Sequence, residues 1–262
     1  MSASGLQAAA LTAERLDALE AAFRAHPQAE RMQNAVTQTP IDKLALRHAI
    51  VAGTDHTFSI HLDQWSVTNQ KSSGRCWLFA GLNLFRVGAM EKMKLENFEF
   101  SQNYAMFWDK IERANFLLEN IIATAGCEAD DREVHFLLAE PIGDGGQWNM
   151  FLNLIRKHGA VPKSAMPETE SSSNTGRMNG ILRELLRQTA SEIRAQHAAG
   201  AKPAALRRCK HEALTLIYRV LCIHLGSPPS QFDWQWKDKD KAFHRDGLMT
   251  PKEFAAKYIT IP

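Results

Sequence analysis

The stretch NQKSSGRCW, residues 69–77, decides the fold class of this chain. It contains a cysteine, Cys76, followed by an apolar-rich run of about four helical turns, so the sequence predicts a buried helix that begins at Cys76. A helix N-terminus stabilises a thiolate, because its free backbone N–H groups and the helix dipole favour negative charge. Cys76 is therefore the candidate nucleophile.

Two hydrogen-bond donors near this cysteine are candidates for stabilising an oxyanion. A thiolate that attacks a carbonyl carbon needs such donors, and here they are the backbone N–H of Cys76 and the side-chain amide of Gln70. Ser73 and Gly74 allow the loop between them to turn tightly. A buried cysteine ahead of a core helix is the usual alternative. The combination of Gln70, Gly74, Cys76 and Trp77 with a helix start favours catalysis over that alternative.

The order of these residues, Gln followed by five residues and then Cys-Trp, resembles the signature of papain-like cysteine peptidases. Within that group the chain is similar to the bleomycin hydrolase and aminopeptidase C family. Besides residues 69–77, the resemblance rests on FEFSQNYAMFWDKIER (98–113), DGGQWNM (144–150), HGAVPKSAMPET (158–169), RMN (177–179) and DKDK (238–241). Several long motifs in one order make the resemblance specific.

The resemblance implies roles for particular residues. Cys76 takes the place of the nucleophile and Gln70 that of the oxyanion donor. A substrate-binding segment is implied at Asp144, Gly145, Gly146 and Gln147, where bare backbone can pair with an extended peptide. An ordinary turn that enters a helix is the alternative reading of the two glycines.

The resemblance also implies the fold and its division into domains. We expect an α+β, papain-like fold that consists mostly of the helical left lobe with a helical insertion, while the β-rich right lobe is largely missing. The expected domains are an N-terminal arm and the start of the papain-like fold (1–65), the catalytic left lobe (66–170), and the helical insertion with the start of the truncated second lobe (171–262).

Hydrophobic periodicity and turn residues predict the individual elements. Helices are expected at 12–23 behind the N-cap Thr12, from Cys76 onwards, at 100–118, at 149–157 before Gly159, at 179–199, at 203–225 and behind Thr250. Strands are expected at 57–62 and 231–241, and residues 171–176 are expected to form an exposed connection.

The general base of a papain-type site is not evident in this sequence. Such a site needs a His to take the thiol proton and an Asn to orient that His. At the usual spacing lie His211, on a charged helical face, and His224, among apolar neighbours. The last asparagine is Asn179, so no Asn follows either of them. We therefore expect a fragment or remnant without the lobe that carries His and Asn, inactive or impaired as a peptidase. A non-catalytic remnant or interaction module is the alternative.

Composition bounds the partners and the location. With 31 Lys+Arg against 29 Asp+Glu the net charge is +2, and without a concentrated basic stripe we expect no nucleic-acid partner. No apolar run is long enough for a membrane span and no signal peptide is evident, so a cytoplasmic protein with reduced cysteines is expected. Peptide substrates are expected, with a homo-oligomer like the hexamers of full-length relatives, and neither a cofactor nor a metal.

Overall fold

The computed structural model describes residues 11–59 and 66–260, and the chain divides into two units, Met1–His61 and Leu62–Pro262. The first unit contains helices α1 (Ala13–Arg24), α2 (Pro27–Val36), α3 (Ile41–Leu44) and α4 (His48–Gly53). No residue of these four helices is buried. The Thr12 hydroxyl accepts a hydrogen bond from the Arg15 N–H at 3.3 Å, which confirms the predicted N-cap.

The strand predicted at residues 57–62 is wrong for the part that the structure describes. Residues 57–59 form no strand, and residues 60–62 lie outside the described residues. The Asp55 carboxylate accepts a hydrogen bond from the Thr57 N–H at 2.8 Å, which makes a local turn. Alternation alone does not make a strand, because its backbone groups need a partner strand.

The second unit is mostly helical. Its elements are α5 (Cys76–Met93), α6 (Gln102–Ala123), α7 (Arg132–Ala139), α8 (Trp148–His158), α9 (Glu170–Ser173), α10 (Gly176–Ala198), α11 (Pro203–Leu225), β1 (Phe232–Lys237), β2 (Phe243–Met249) and α12 (Pro251–Tyr258). Helices α6, α10 and α11 pack against one another, and α8 contacts α5, α6 and α12. The helices that the sequence predicted here are confirmed, with ends shifted by a few residues. No helix within residues 11–59 and 66–260 is both long and apolar enough to span a bilayer.

Local signals set the ends of three of these helices. The Ser101 hydroxyl caps α6 by accepting the Tyr104 N–H at 3.0 Å. Thr250 and Glu253 form a capping box at the start of α12. Gly159 ends α8 with a φ of +78°, and a Cβ at this position would lie 2.3 Å from the Pro251 carbonyl oxygen. Only glycine fits there, because both its φ and the close approach of α12 exclude a side chain.

The strand predicted at 231–241 is shorter than expected and belongs to a hairpin. Strand β1 pairs antiparallel with β2, and the register shifts between Trp234 and Gln235. The Asp238 carboxylate closes the turn by accepting the N–H groups of Asp240 and Ala242, both at 2.9 Å. The sequence analysis missed β2, because His-Arg-Asp-Gly in its middle lacks the alternation of apolar residues that marks a strand.

An aromatic cluster joins this hairpin to the helices. The Phe254 ring of α12 is fully buried, and five rings lie with their centroids 4.9–6.4 Å from it. We call this group the aromatic cluster: Phe98, Phe100, Phe232, Trp234, Phe254 and Tyr258. Its members come from β1, from α12 and from the segment before α6, so the cluster connects parts of the chain that are far apart in sequence.

The segment 171–176 is not the exposed connection that the sequence predicted. Residues 170–173 form the short helix α9, and Ser172 is fully buried because its hydroxyl bonds Glu168 and the backbone of Thr169. Beyond α9, Asn174 forms a parallel bridge with Ser72. This segment therefore supports the loop that precedes Cys76.

Candidate active site

Cys76 is the first residue of α5, and its side chain is exposed. The following residues Leu78, Phe79 and Leu82 are buried, so the helix is anchored in the core directly behind the thiol. The N-cap residue Arg75 makes no capping bond with its side chain. The backbone N–H groups of the first turn are therefore not used by the cap and can act on a negative charge.

Gln70 is held in a closed loop ahead of the helix. Its side-chain Nε2 donates to the Ser73 carbonyl oxygen at 2.8 Å, and the Ser73 hydroxyl donates to the Gln70 carbonyl oxygen at 2.7 Å. A carboxamide nitrogen carries two hydrogens, so one remains for another acceptor. The backbone adopts a positive φ at Lys71, 54°, rather than at Gly74. The role of Gly74 is one of space, since a Cβ there would lie 2.8 Å from the Asp144 Cβ.

The buried Arg75 guanidinium fixes this loop from its protein-facing side. It is fully buried and forms a two-point ion pair with Glu168, at 3.0 and 2.8 Å. Its Nε donates to the Ser73 hydroxyl at 2.9 Å, and its guanidinium carbon lies 5.1 Å from the centre of the Phe79 ring. A planar guanidinium held at both its fork and its Nε has little freedom to move, so the backbone on the N-terminal side of Cys76 is fixed.

Asp144 is the centre of a second polar group. Its Oδ2 accepts the Gly74 N–H at 3.0 Å and the Thr175 hydroxyl at 2.6 Å. Its Oδ1 accepts the Lys110 ammonium at 2.6 Å and the Asn179 amide at 2.8 Å. We call Gly74, Lys110, Asp144, Thr175 and Asn179 the Asp144 cluster. It joins residues 70–75, which we call the nucleophile loop after the predicted role of Cys76, to α6 and α10.

The charge state of Asp144 follows from these contacts. Burial favours the neutral acid, but the Lys110 ammonium and the hydrogen bonds from Lys110, Thr175 and Asn179 outweigh burial. Together they hold the pKa of Asp144 well below its usual range. The side chains of Lys110 and Asp144 are 0% and 9% exposed, so this is a nearly buried ion pair.

Residues 144–147, which we call the glycine segment, lie against the residue that follows Cys76. The Trp77 indole Nε1 donates to the Asp144 carbonyl oxygen at 2.6 Å. A Cβ on Gly146 would lie 2.6 Å from the Trp77 ring, so the segment passes directly over the residue that follows Cys76. The Arg113 guanidinium donates to the Gly145 carbonyl oxygen. Within residues 66–260 no hydrogen bond uses the backbone of Gly146, which leaves its polar groups available to another chain.

The structure thus brings the predicted site residues into one region. Gln70 lies in the loop before Cys76, and the glycine segment contacts Gly74, two residues before Cys76, and Trp77, directly after it. Their chemical roles stay predictions. The sequence analysis missed the residues that hold them in place: Arg75, Lys110, Arg113, Glu168, Thr175 and Asn179. Several of these stand inside the quoted motifs, but their partners are tens of residues away, and nothing local identifies the pairs.

No histidine within residues 66–260 is hydrogen-bonded to Cys76. The His224 Nδ1 lies 2.8 Å from the Ser171 hydroxyl, and the ring is partly buried. His211 is exposed on α11. These positions agree with the sequence analysis, which found neither residue convincing as a base. Among the described residues no group of three or more His, Cys, Asp or Glu side chains is placed to hold a metal ion.

Comparison with known proteins agrees with this geometry. A model of the Peptidase C1-like family matches residues 10–262. Bleomycin hydrolase from Mus musculus is 40% identical over 255 residues, which are 96% of this chain and 56% of that protein. Aminopeptidase C from Streptococcus thermophilus is 43% identical over 249 residues, which are 95% of this chain and 56% of that protein.

A solved structure extends the likeness from sequence to three dimensions. The crystal structure of PepW from Lactobacillus rhamnosis matches with a TM-score of 0.92 and 43% identity, over 97% of this chain and 57% of that one. This chain therefore spans little more than half the length of the relatives that it matches. A helix that starts at Cys76, a family match over residues 10–262 and a shared backbone all point to one conclusion. The chain belongs to the Peptidase C1-like family, and it has a mostly helical, papain-like fold with a small two-stranded sheet.

Proposed function

We propose that this chain carries the nucleophile part of a cysteine-type aminopeptidase. The observation that carries the proposal is the exposed Cys76 at the first position of α5, beside a Gln70 side chain that the loop holds in place. The names of the relatives, bleomycin hydrolase and aminopeptidase C, support peptides with a free amino terminus as substrates. The glycine segment is the proposed peptide-binding edge, in agreement with the open backbone of Gly146.

The proposed reaction has two steps. The Cys76 thiolate attacks the carbonyl carbon of the first peptide bond, and the Gln70 amide and the Cys76 N–H stabilise the oxyanion. The C–N bond then breaks, and the leaving amine takes the proton that the thiol lost, by way of a general base. Water attacks the resulting thioester, which releases the amino acid and restores the thiol.

We place the general base outside residues 66–260, in another part of the active assembly. No histidine in that range is bonded to Cys76, and His224 already bonds Ser171. Members of a catalytic unit act together, so a thiol without its base loses most of the rate. The isolated 262-residue chain is therefore an impaired peptidase. We also propose that the chain associates with itself into a homo-oligomer. Light scattering on the purified 262-residue chain measures its mass in solution.

The first experiment measures hydrolysis of an alanyl-coumarin substrate by the 262-residue chain and by its Cys76→Ala variant. We expect little or no turnover above the variant. The second part labels the native protein with iodoacetamide at several pH values and identifies the sites by mass spectrometry. Cys127 is also an exposed thiol, and it serves as an internal reference. We expect Cys76 to be labelled faster than Cys127, because Cys76 lies at the first position of a helix.

The outcomes separate the proposal from its alternative. Turnover that disappears in Cys76→Ala supports the peptidase and contradicts the absence of a base. Fast labelling of Cys76 without turnover supports a nucleophile that awaits its base. Equal labelling of Cys76 and Cys127 without turnover contradicts the proposal and favours the alternative, a non-catalytic remnant or interaction module. The lack of a histidine partner for Cys76 within residues 66–260 is the observation that keeps this alternative in view.

A further inference from the structure

We propose that Asp144 is a positioning residue of the cysteine site, which sets the separation between the Cys76 nucleophile and the glycine segment. The proposal rests on the proposed function, in which Cys76 attacks a peptide bound along that segment. It differs from the implied role of Asp144 as a substrate contact. The Asp144 carboxylate accepts four hydrogen bonds, and all four donors belong to this chain. Its action on a substrate is therefore indirect.

Asp144 holds the chain on both sides of Cys76. On the N-terminal side its carboxylate accepts the Gly74 N–H at 3.0 Å. On the C-terminal side its backbone carbonyl accepts the Trp77 indole N–H at 2.6 Å. One residue of the glycine segment thus bonds the second residue before the nucleophile and the first residue after it. A shift of Asp144 relative to α5 strains both bonds at once.

Asp144 itself is fixed to the body of the protein. Lys110 comes from the middle of α6, Thr175 is the N-cap residue of α10, and Asn179 lies in its first turn. All three side chains are buried and donate to the carboxylate. Three donors from α6 and the start of α10 fix the position of the carboxylate. Because the nucleophile loop bonds this carboxylate and the glycine segment contains it, the positions of both are fixed as well.

The packing leaves no room for an alternative arrangement. Glycine is needed at position 74 because a Cβ there meets the Asp144 Cβ at 2.8 Å, and at position 146 because a Cβ there meets the Trp77 ring at 2.6 Å. At both contacts the backbone of a glycine therefore packs at van der Waals distance against a side chain of the other segment. Interfaces of this kind fix a separation closely, because sliding them apart loses the contacts and pushing them together is blocked.

The test compares two electrophiles on the native 262-residue chain. Iodoacetamide reacts with the Cys76 thiol without using the glycine segment. An alanyl-phenylalanyl chloromethyl ketone reaches the same thiol after its peptide part has bound along the segment. Mass spectrometry gives the rate at which each reagent modifies Cys76, separately from the exposed Cys127. The ratio of the chloromethyl ketone rate to the iodoacetamide rate is the peptide preference, and it reports the separation rather than the stability of the fold. Circular dichroism establishes that each variant is folded before the rates are measured.

Asp144→Asn keeps the size of the side chain but replaces an acceptor oxygen by an NH₂ donor, which faces donors in every orientation. We expect the peptide preference to fall about tenfold or more, with the iodoacetamide rate changed by less than about twofold. Trp77→Phe removes the bond to the Asp144 carbonyl oxygen and keeps an aromatic ring and the Lys110–Asp144 ion pair. It is therefore the deciding variant if Asp144→Asn does not fold. We expect it to lower the preference in the same direction.

Glu119→Gln is the matched control. Glu119 lies in the same helix as Lys110 and pairs with Lys210 at 2.6 Å, without contact to the Asp144 cluster. Its preference should equal that of the wild type. An unchanged preference in folded Asp144→Asn, or in Trp77→Phe where the first variant does not fold, overturns the proposal.

The failure of the proposed function has a different signature. A wild type that shows no peptide preference contradicts the peptide-binding role of the glycine segment. In that case the two bonds to Asp144 are tested directly, by measuring the hydrogen exchange of the Gly74 amide and the Trp77 indole by NMR. Faster exchange at both groups in Asp144→Asn than in Glu119→Gln supports positioning by Asp144, and equal exchange overturns it.

Discussion

The aromatic cluster around Phe254 and the Asp144 cluster both join distant segments of the second unit, but they do so by different forces. In the aromatic cluster, ring contacts at several tilts surround a fully buried Phe254. In the Asp144 cluster, directed hydrogen bonds of 2.6–3.0 Å meet at one carboxylate. The first kind of contact tolerates small rotations, whereas the second fails when a donor moves by an ångström.

The difference teaches where stability and position come from in this molecule. Burial of aromatic surface contributes a large free energy of folding that depends little on detail. A nearly buried ion pair gains less, because the desolvation of both charges offsets their attraction, but removing one partner is costly. The aromatic cluster therefore stabilises the hairpin and α12, while the Asp144 cluster places the nucleophile loop.

The largest effect is expected for Phe254→Ala. The ring is fully buried and touches five others, so we expect the free energy of unfolding to fall by about 3–5 kcal/mol. Urea denaturation followed by tryptophan fluorescence measures it. Phe136→Ala is the control, because the Phe136 side chain is largely exposed and should change stability by less than about 0.5 kcal/mol. A loss below that of the control would show that the cluster contributes little.

A somewhat smaller effect is expected for Lys110→Met. The variant keeps the apolar stem but leaves Asp144 without its cation, and we expect a loss of about 3 kcal/mol. In Lys157→Met, which removes an exposed partner of Glu112, the loss should stay below about 1 kcal/mol. The same urea titrations give both values. If the two variants lose the same amount, the Asp144 ion pair is no stronger than a surface pair, and the contrast between the clusters disappears.

The smallest effect is a dependence on pH that comes from the Asp144 carboxylate. The pKa of Asp144 lies below its usual range in the folded chain, so the unfolded chain binds the proton first as the pH falls. The stability from this carboxylate is present above about pH 4, near the ordinary pKa of Asp, and is lost as the pH falls further.

We therefore expect the stability difference between the wild type and Lys110→Met to shrink when urea unfolding is repeated at about pH 3 rather than about pH 6. The difference between the wild type and Phe254→Ala should stay constant over the same range. A constant difference for both variants would mean that Asp144 has no depressed pKa.

The sequence predicted those parts of the molecule that short-range signals determine. Helix α5 follows from its apolar run, α6 from the spacing of its apolar residues, and α12 from its start after Thr250. Cys76 and Gln70 could be singled out as candidates because a cysteine at a predicted helix start and a glutamine six residues before it are both visible along the chain. Caps and periodicity act over a few residues, and they can be read without a fold.

Other parts depend on contacts across the chain and could not be predicted. Strand β2 exists because β1 lies beside it, although Arg245, Asp246 and Gly247 disfavour a strand locally. The partners of Asp144 are 31 to 70 residues away from it in sequence. Ser172, expected to be exposed, is buried because its hydroxyl finds Glu168. A sequence gives the donors and acceptors but not which of them meet.

The two-point bond between Arg75 and Glu168 also bears on the order of folding. Its partners are 93 residues apart, and the bond from Gly74 to Asp144 spans 70 residues. Contacts of such separation form late, because closing a long loop costs entropy before any contact repays it. During synthesis α5 can form as soon as its own residues are available, whereas the loop that presents Cys76 takes shape only after α9 has been made. A growing chain therefore carries its thiol for some time without the hydrogen bonds that fix the loop before Cys76 in the complete chain.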